Sequence, residues 1–222
     1  MTQPCTLITG ANRGIGLALS RQLAARGQSV IGVCRQSSPE LNAVAERVID
    51  NIDVTQENDL ATLCTELGDT RLDLLINNAG LMENNVLGHI DYDSLRRLME
   101  VNAYAPLRVT ETLLEFMTAD SRIGLITSRM GSIADNDSGG RYGYRASKAA
   151  LNAFGKSLAV DLQSRRIAIA LLHPGYVKTR MVNFGGMITP DDAAAGLIAR
   201  LDDLTLENSG TFWHSNGDVL PW

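Results

Sequence analysis

Tyr144 and Lys148 stand four residues apart at the start of an apolar run, Ala149-Ala150-Leu151-Asn152-Ala153-Phe154, whose composition suits a helix. On a helix that spacing stacks both side chains on one face and brings the ammonium toward the phenol. A free phenol, with a pKa near ~10, is a poor acid or base at neutral pH, and an adjacent cation stabilises its anion and lowers that value. The pair reads as a tuned proton donor. By itself a Y-x-x-x-K spacing also describes a surface tyrosine followed by a solvated lysine. Its weight depends on what else the chain delivers to the same place.

A second candidate site lies at the other end of the chain, in Thr9-Gly10-Ala11-Asn12-Arg13-Gly14-Ile15-Gly16. The apolar, β-branched run Cys5 to Thr9 leads into these glycines. Leu17, Leu19 and Leu23 then continue as a helix that closes near Gly27, followed by a second strand from Ser29 to Cys34. Glycines allow a ligand close to the backbone, and the helix start offers free N–H groups to a pyrophosphate. In a strand-helix-strand unit this is the pattern of a dinucleotide site. An NAD site usually carries an acidic residue at the end of the second strand to hold the ribose. Here that strand ends Val33-Cys34-Arg35. Arg35, with Arg13 inside the glycine turn, suits a 2'-phosphate in charge and geometry, which favours NADP and makes NAD the weaker expectation.

The intervening elements must carry further polar residues to one edge of a sheet. Val48 to Val54 is expected as a third strand delivering Asp53 and Val54, Gln56 to Leu67 as a helix, and Leu72 to Ile76 as a fourth strand. The fourth strand is almost wholly apolar, as in a parallel sheet covered on both faces. It runs into Asn77-Asn78-Ala79-Gly80, where asparagine amides could tie adjacent strand ends together and the small pair leaves room for a ligand. A helix from about Asp93 to Met117 places Asn102 in its middle, a mildly unfavourable position for a residue that competes for backbone hydrogen bonds. A fifth strand, Arg122 to Thr127, ends at Ser128. A polar loop, Asp135 to Gly143, leads to the Tyr144 helix, which runs to about Ser164. A sixth strand, Ile167 to Leu172, ends at His173-Pro174-Gly175. Tyr176 to Thr189, with Met181, Phe184, Met187 and Ile188 around Gly185-Gly186, suits an apolar lid on a flexible hinge. Pro190 to Leu201 is expected as the last helix, Thr211 to His214 as a short strand and Gly217 to Trp222 as an apolar tail.

Composition limits the partners. The 222 residues, 45% hydrophobic and 20% charged, are in the ordinary globular range and long enough for one self-sufficient domain. A net charge of −5 without a basic run argues against nucleic acid or an anionic membrane surface. Cys5, Cys34 and Cys64 lack metal-type spacing and read as reduced thiols in a cytoplasmic protein. No secretory signal and no span of ~20 apolar residues is visible. His89, His173 and His214 show no ligand spacing, so no metal is expected.

Taken in order, the glycine turn, Asn77-Asn78-Ala79-Gly80, Asn102, Ser128, Tyr144-x-x-x-Lys148 and Pro174-Gly175 resemble the short-chain dehydrogenase/reductases over nearly the whole chain. Met130-Gly131-Ser132-Ile133, Ser138-Gly139-Gly140, Tyr144 to Asn152 and Leu220-Pro221-Trp222 resemble the C-factor and sniffer type of carbonyl reductase. The resemblance implies an α/β fold, a single Rossmann domain over 1–222 with about seven parallel strands in the order 3-2-1-4-5-6-7. It implies that Tyr144 is the general acid of carbonyl reduction and that Lys148 binds the nicotinamide ribose and lowers the tyrosine pKa. Ser128 would polarise the carbonyl, and Asn102 would hold a water that links Lys148 to solvent. Asp53 and Val54 would contact the adenine, Asn78, Ala79 and Gly80 the adenosine side, and Pro174, Gly175, Val177 and Thr179 the nicotinamide amide.

The resemblance implies a carbonyl or alcohol substrate, and the apolar segment from Tyr176 to Thr189 suggests that it is apolar and small to medium in size. It also implies self-association as a homodimer or homotetramer, to which the apolar end Leu220-Pro221-Trp222 contributes. The interval from Ser128 to Tyr144 is longer than the commonest family spacing, which makes Ser132 a rival for the serine role. Tyr142 rivals Tyr144, but the residue four beyond it is Ala146. A different function is also open, because C-factor-like members are associated with intercellular signalling, and such a chain would bind nucleotide with incidental or no turnover.

Overall fold

A computed structural model describes residues 3–222. The apolar runs form seven strands: β1 (Cys5–Thr9), β2 (Ser29–Val33), β3 (Arg47–Ile49), β4 (Leu72–Asn77), β5 (Met117–Ile126), β6 (Ala168–His173) and β7 (Thr211–His214). They pair in the order β3-β2-β1-β4-β5-β6-β7, and every neighbouring pair is parallel. Parallel neighbours need crossover connections, which here are helices on both faces: α1 (Gly14–Ala25), the short α2 (Pro39–Asn42), α3 (Glu57–Leu67), α4 (Tyr92–Met99), α5 (Ala105–Leu113), α6 (Tyr142–Asp161) and α7 (Pro190–Asp202). Because side chains alternate along a strand, each one feeds two cores. Leu7, Leu75, Ile123, Leu125 and Ile169 pack under α3, α5 and α6 with Leu63, Leu113 and Leu151. Their neighbours Ile8, Ile76, Ile126, Ala170 and Leu172 pack under α1 and α7 with Leu19, Leu23, Leu197 and Leu201. The fold is the expected doubly wound sheet. Its order reverses between β1 and β4, which opens a crevice at the strands' C-terminal edge.

Several boundaries differ from expectation. The third strand stops at Ile49 instead of Val54, because Asn51 takes a left-handed conformation, φ 58°, that ends the ladder. Asp53 and Val54 therefore lie in the loop beyond it. The single helix expected from Asp93 to Met117 is two helices. Between α4 and α5 the backbone widens into one turn of i→i+5 bonding over Glu100–Tyr104, with Asn102 at its centre. Pro106 supplies the reason, since it has no N–H to return to a carbonyl one turn back. Met117 is already β5, which begins five residues earlier than Arg122, with a register shift against β4 and Asp120 at φ 71°. The Tyr144 helix begins at Tyr142, after Gly139, Gly140 and Arg141, three successive residues with positive φ.

The segment expected to hinge at Gly185-Gly186 is tied down. Met187 and Ile188 donate to the Tyr176 carbonyl at 2.7 and 3.2 Å, and a Cβ at Gly186 would stand 2.2 Å from the Val177 carbonyl carbon. That glycine serves a close backbone crossing, while Phe184 and Met187 are exposed around it. The C-terminal tail is also folded onto its own chain. Leu220 is buried with Leu171 and Phe212, and the Trp222 ring stacks on Phe212 with centroids 5.6 Å apart. Trp222 remains about half exposed, but Leu220 is no part of an apolar surface seeking a cover.

Candidate active site

The crevice floor is backbone. Gly10 and Gly14 adopt φ of 65° and 56°, and a Cβ at Gly16 would stand 2.3 Å from the Gly10 carbonyl oxygen. Arg13 precedes α1 without capping it through its side chain, and the first helical bond is the one from Leu17 N–H to the Arg13 carbonyl at 3.3 Å. The N–H groups of Gly14, Ile15 and Gly16 are therefore left for an anion at the positive end of the helix. Thr179 closes the turn from above, 3.4 Å from where a Gly14 Cβ would be, and brings the Pro174, Gly175 and Val177 segment to the same crevice. These residues fit the pyrophosphate and nicotinamide portions of a dinucleotide.

The adenosine end is set by side-chain ties. Asn12 donates to the Gln36 carbonyl at 2.8 Å and Ser38 donates to the Asn12 carbonyl at 3.0 Å, which fastens the turn carrying Arg13 to the loop carrying Arg35. Arg35 is 74% exposed and reaches only the Asp53 carboxylate, at 3.9 Å. Asp53 accepts from both the backbone N–H and the hydroxyl of Thr55, at 3.0 and 2.8 Å, and its own N–H donates to Asp59 at 2.8 Å. Its carboxylate shapes the turn into α3 as well as facing the crevice. Asn78 ties strand ends together as its residue type suggests: its amide donates to the Thr9 and Gly10 carbonyls at 3.0 and 3.1 Å. The Thr9 hydroxyl accepts in return from the N–H groups of Asn78 and Ala79, each at 3.1 Å. Sequence reasoning passed over Thr9, although a threonine closing the first strand against an Asn-Asn pair was the available signal.

At the other end of the crevice, Ser128, Tyr144 and Lys148 come together. The Ser128 hydroxyl stands near enough to the Tyr144 phenol to pull its pKa down, and it accepts from Met130 N–H at 3.1 Å. Ser132, the rival serine, points away: it donates to the Trp222 carbonyl at 3.0 Å and accepts from Asp135 N–H at 3.1 Å. Tyr142 is 39% exposed at the first turn of α6, whereas Tyr144 is 8% exposed. The Lys148 ammonium donates to the Ile126 carbonyl at 2.9 Å and lies 3.7 Å from a Cβ built on Gly80. Asn102 is fully buried. Its amide nitrogen donates to the Leu81 carbonyl and the Ser147 hydroxyl, and its oxygen accepts from Leu81 N–H, all within 3.0 Å. It clamps the segment after Gly80 to α6, and Ser147, which sequence reasoning missed, is the other jaw of that clamp.

The electrostatics differ from the expected tuning. Burial raises the Tyr144 pKa above its usual value, and the Ser128 hydroxyl and the positive charge of Arg141 pull it back. Lys148 Nζ sits 6.0 Å from the Tyr144 ring centroid. Its own pKa is brought by burial from 10.5 to about 8. His173 and His214 end adjacent strands and meet edge to face at 4.9 Å, and burial holds His173 neutral at a pKa of about 3. Among the described residues no group of three or more His, Cys, Asp or Glu could hold a metal ion, and the three cysteines are free thiols.

A dinucleotide cradle at the switch point of a parallel sheet, opening onto a buried hydroxyl pair and an ammonium, defines the class: a nicotinamide-dependent oxidoreductase. The comparisons agree, for the model of the short chain dehydrogenase family matches residues 4–185. The chain belongs to the short-chain dehydrogenase/reductases. It is 41% identical to the 1-hydroxy-2-glutathionyl-2-methyl-3-butene dehydrogenase of a Rhodococcus species, over 97% of this chain and 98% of that one. A short-chain dehydrogenase/reductase of Burkholderia multivorans with bound NADP superposes over 100% of both chains with a TM-score of 0.90 at 32% identity. The carbonyl reductase Sniffer of Drosophila melanogaster does so over the same extent with a TM-score of 0.88 at 27% identity.

Proposed function

We propose that the protein is an NADPH-dependent reductase of small to medium carbonyl compounds, working in reverse on the corresponding alcohols. The observation that carries this reading is the meeting of Ser128 and Tyr144 hydroxyls, out of bulk water, at the nicotinamide end of the glycine-lined crevice. The bound nicotinamide supplies a hydride to the carbonyl carbon. Negative charge then builds on the carbonyl oxygen, where two hydroxyl donors are worth most in a site that excludes water. Tyr144 gives its proton to that oxygen, and Ser128 holds it in line. Lys148 is placed to bind the nicotinamide ribose and to return a proton to the phenol, with the Asn102 turn at its back as the route to solvent. Gly10, Asn12, Gly14, Ile15 and Gly16 hold the pyrophosphate. Asp53, Val54, Asn78, Ala79 and Gly80 line the adenosine side, and Pro174, Gly175, Val177 and Thr179 the amide.

Arg13 takes part in no ion pair among the described residues, and Arg35, 74% exposed, has only the long 3.9 Å contact to Asp53, which supports their service to a 2'-phosphate. A charge-assisted hydrogen bond contributes about 1.5 to 3 kcal/mol, so Arg35→Ala should weaken NADPH about 10- to 150-fold and NADH little. Titration of cofactor fluorescence reads both, and equal wild-type affinity for the two cofactors contradicts the phosphate assignment. No helix among the described residues is long and apolar enough to cross a membrane, and the free thiols suit a reducing cytoplasm. Self-association as a dimer or tetramer is proposed from exposed Val160 on α6, exposed Tyr104 beside it and half-exposed Trp222. Light scattering at the mass of one 24.0 kDa chain would reject it.

A further inference from the structure

Arg141 is the residue immediately before α6, three positions ahead of Tyr144. Its backbone is left-handed, φ 50° and ψ 41°, a conformation that costs a residue with a Cβ about 1 to 2 kcal/mol. Gly139 and Gly140 just before it take the same conformation freely, so a glycine at 141 would carry no such cost. The position is fixed from outside: Arg141 N–H donates to the Asn85 carbonyl at 3.0 Å, and the guanidinium lies 3.3 Å from the Met82 sulfur. Met82 stands two residues beyond Gly80, so the guanidinium is held between the crevice wall and the start of the catalytic helix.

This arginine is half-buried and takes part in none of the ion pairs among the described residues. Glu83, the one carboxylate in the 81–85 segment, is spent on Arg97, which donates to it twice at 3.2 and 2.8 Å. By contrast, Arg166, the other left-handed arginine, is paired with Asp120. A half-buried guanidinium without a counter-ion is costly to keep, and it is the group best shaped to grip a carboxylate in two hydrogen bonds. Its charge is felt at the phenol, where it pulls the Tyr144 pKa down.

We infer that Arg141 is a specificity-determining residue that binds an anionic group, a carboxylate, on the substrate, so that this site prefers carbonyl compounds carrying an acid near the reacting carbon. The inference rests on the carbonyl reductase reading above and narrows its substrate class. The test compares kcat/KM for two acids of different reach, benzoylformate and 3-benzoylpropanoate, with their methyl esters, in the wild-type protein, Arg141→Gly and Arg141→Lys. The glycine variant is compatible with the backbone, and the lysine variant keeps the charge.

The wild type should favour the acid over its ester in at least one pair. Arg141→Gly should lower that acid-to-ester ratio about 10- to 100-fold, and Arg141→Lys should restore part of it. Added salt should lower the ratio in the wild type and in Arg141→Lys, and leave it unchanged in Arg141→Gly. A ratio that Arg141→Gly leaves unchanged in both pairs overturns the inference, and so does a wild type that prefers both esters. In either case the reductase reading stands, because the esters are turned over. Failure of the wild type to reduce any acid or ester overturns both.

Discussion

Burial, more than pairing, sets the titration of the two key side chains. The chain folds around Tyr144 and Lys148 so closely that the phenol holds its proton more firmly than in water while the ammonium holds its proton less firmly. A proton donor that is not ionised in the resting protein is the form needed for carbonyl reduction. For Lys148 the sign of the pH effect follows directly. Between pH 8 and 10.5 the unfolded chain still binds the proton that the folded chain has released, so folding stability from this group rises across that window. Below it the full cost of the buried charge applies, about 3 kcal/mol on the scale of ~1.4 kcal/mol per pKa unit. Urea denaturation of the cofactor-free protein at several pH values should show the wild type gaining stability relative to Lys148→Met across that window, the raised thiol and phenol pKa values being common to both proteins; a difference that does not change with pH contradicts the assignment. At Ser128, removal of the hydroxyl in Ser128→Ala takes one of two donors from the carbonyl oxygen. It should cost about 10²- to 10³-fold in kcat, measured on any carbonyl the wild type reduces.

At the scale of elements, Ser132 has a different duty. It bonds the Trp222 carbonyl, as the Ile133 and Ala134 N–H groups also do at 3.0 and 2.8 Å, so it anchors the C-terminal tail against the loop that follows β5. Ser132→Ala should lower stability by about 1 to 3 kcal/mol and leave kcat within about threefold of wild type, by denaturant midpoint and steady-state rate respectively. A larger rate loss than in Ser128→Ala would exchange the two serines. The strands and their sheet were legible because an apolar run bounded by glycine or asparagine admits few other readings in a parallel sheet. The elements that carry polar residues were less so. Asn102 invited the question of why an asparagine sits within a helix, and the answer was Pro106, four residues on, whose missing N–H opens the backbone there. Arg141 gave no signal at all: a left-handed arginine between two glycines and a helix looks in sequence like any loop residue. Gly186 misled, because a glycine pair reads as a hinge until a second backbone is seen passing 2.2 Å from where its Cβ would be.

For the whole molecule, the two ends of the crevice are built by different physics. On the proposed reading, the glycine turn would bind through backbone groups exposed by the absence of side chains, whereas the chemistry would work through side chains kept from water by the packing of α6 on β5 and α4. Thr127 fixes that packing, donating to Asn152 at 2.7 Å, and it is why Ser128, the next residue, faces Tyr144. Cofactor affinity and chemistry should therefore separate on mutation. General acid catalysis contributes about 10²- to 10⁴-fold to rate. Tyr144→Phe keeps the ring, its burial and the α6 packing, and removes the one proton donor. The most direct measurement is the pairing of NADPH affinity, by fluorescence titration, with steady-state reduction of a carbonyl substrate in Tyr144→Phe and wild type. The structure predicts nearly unchanged NADPH binding with turnover reduced about 10²- to 10⁴-fold. Wild-type turnover in the variant would mean that the phenol is not the proton donor and that the chemistry lies elsewhere in the chain.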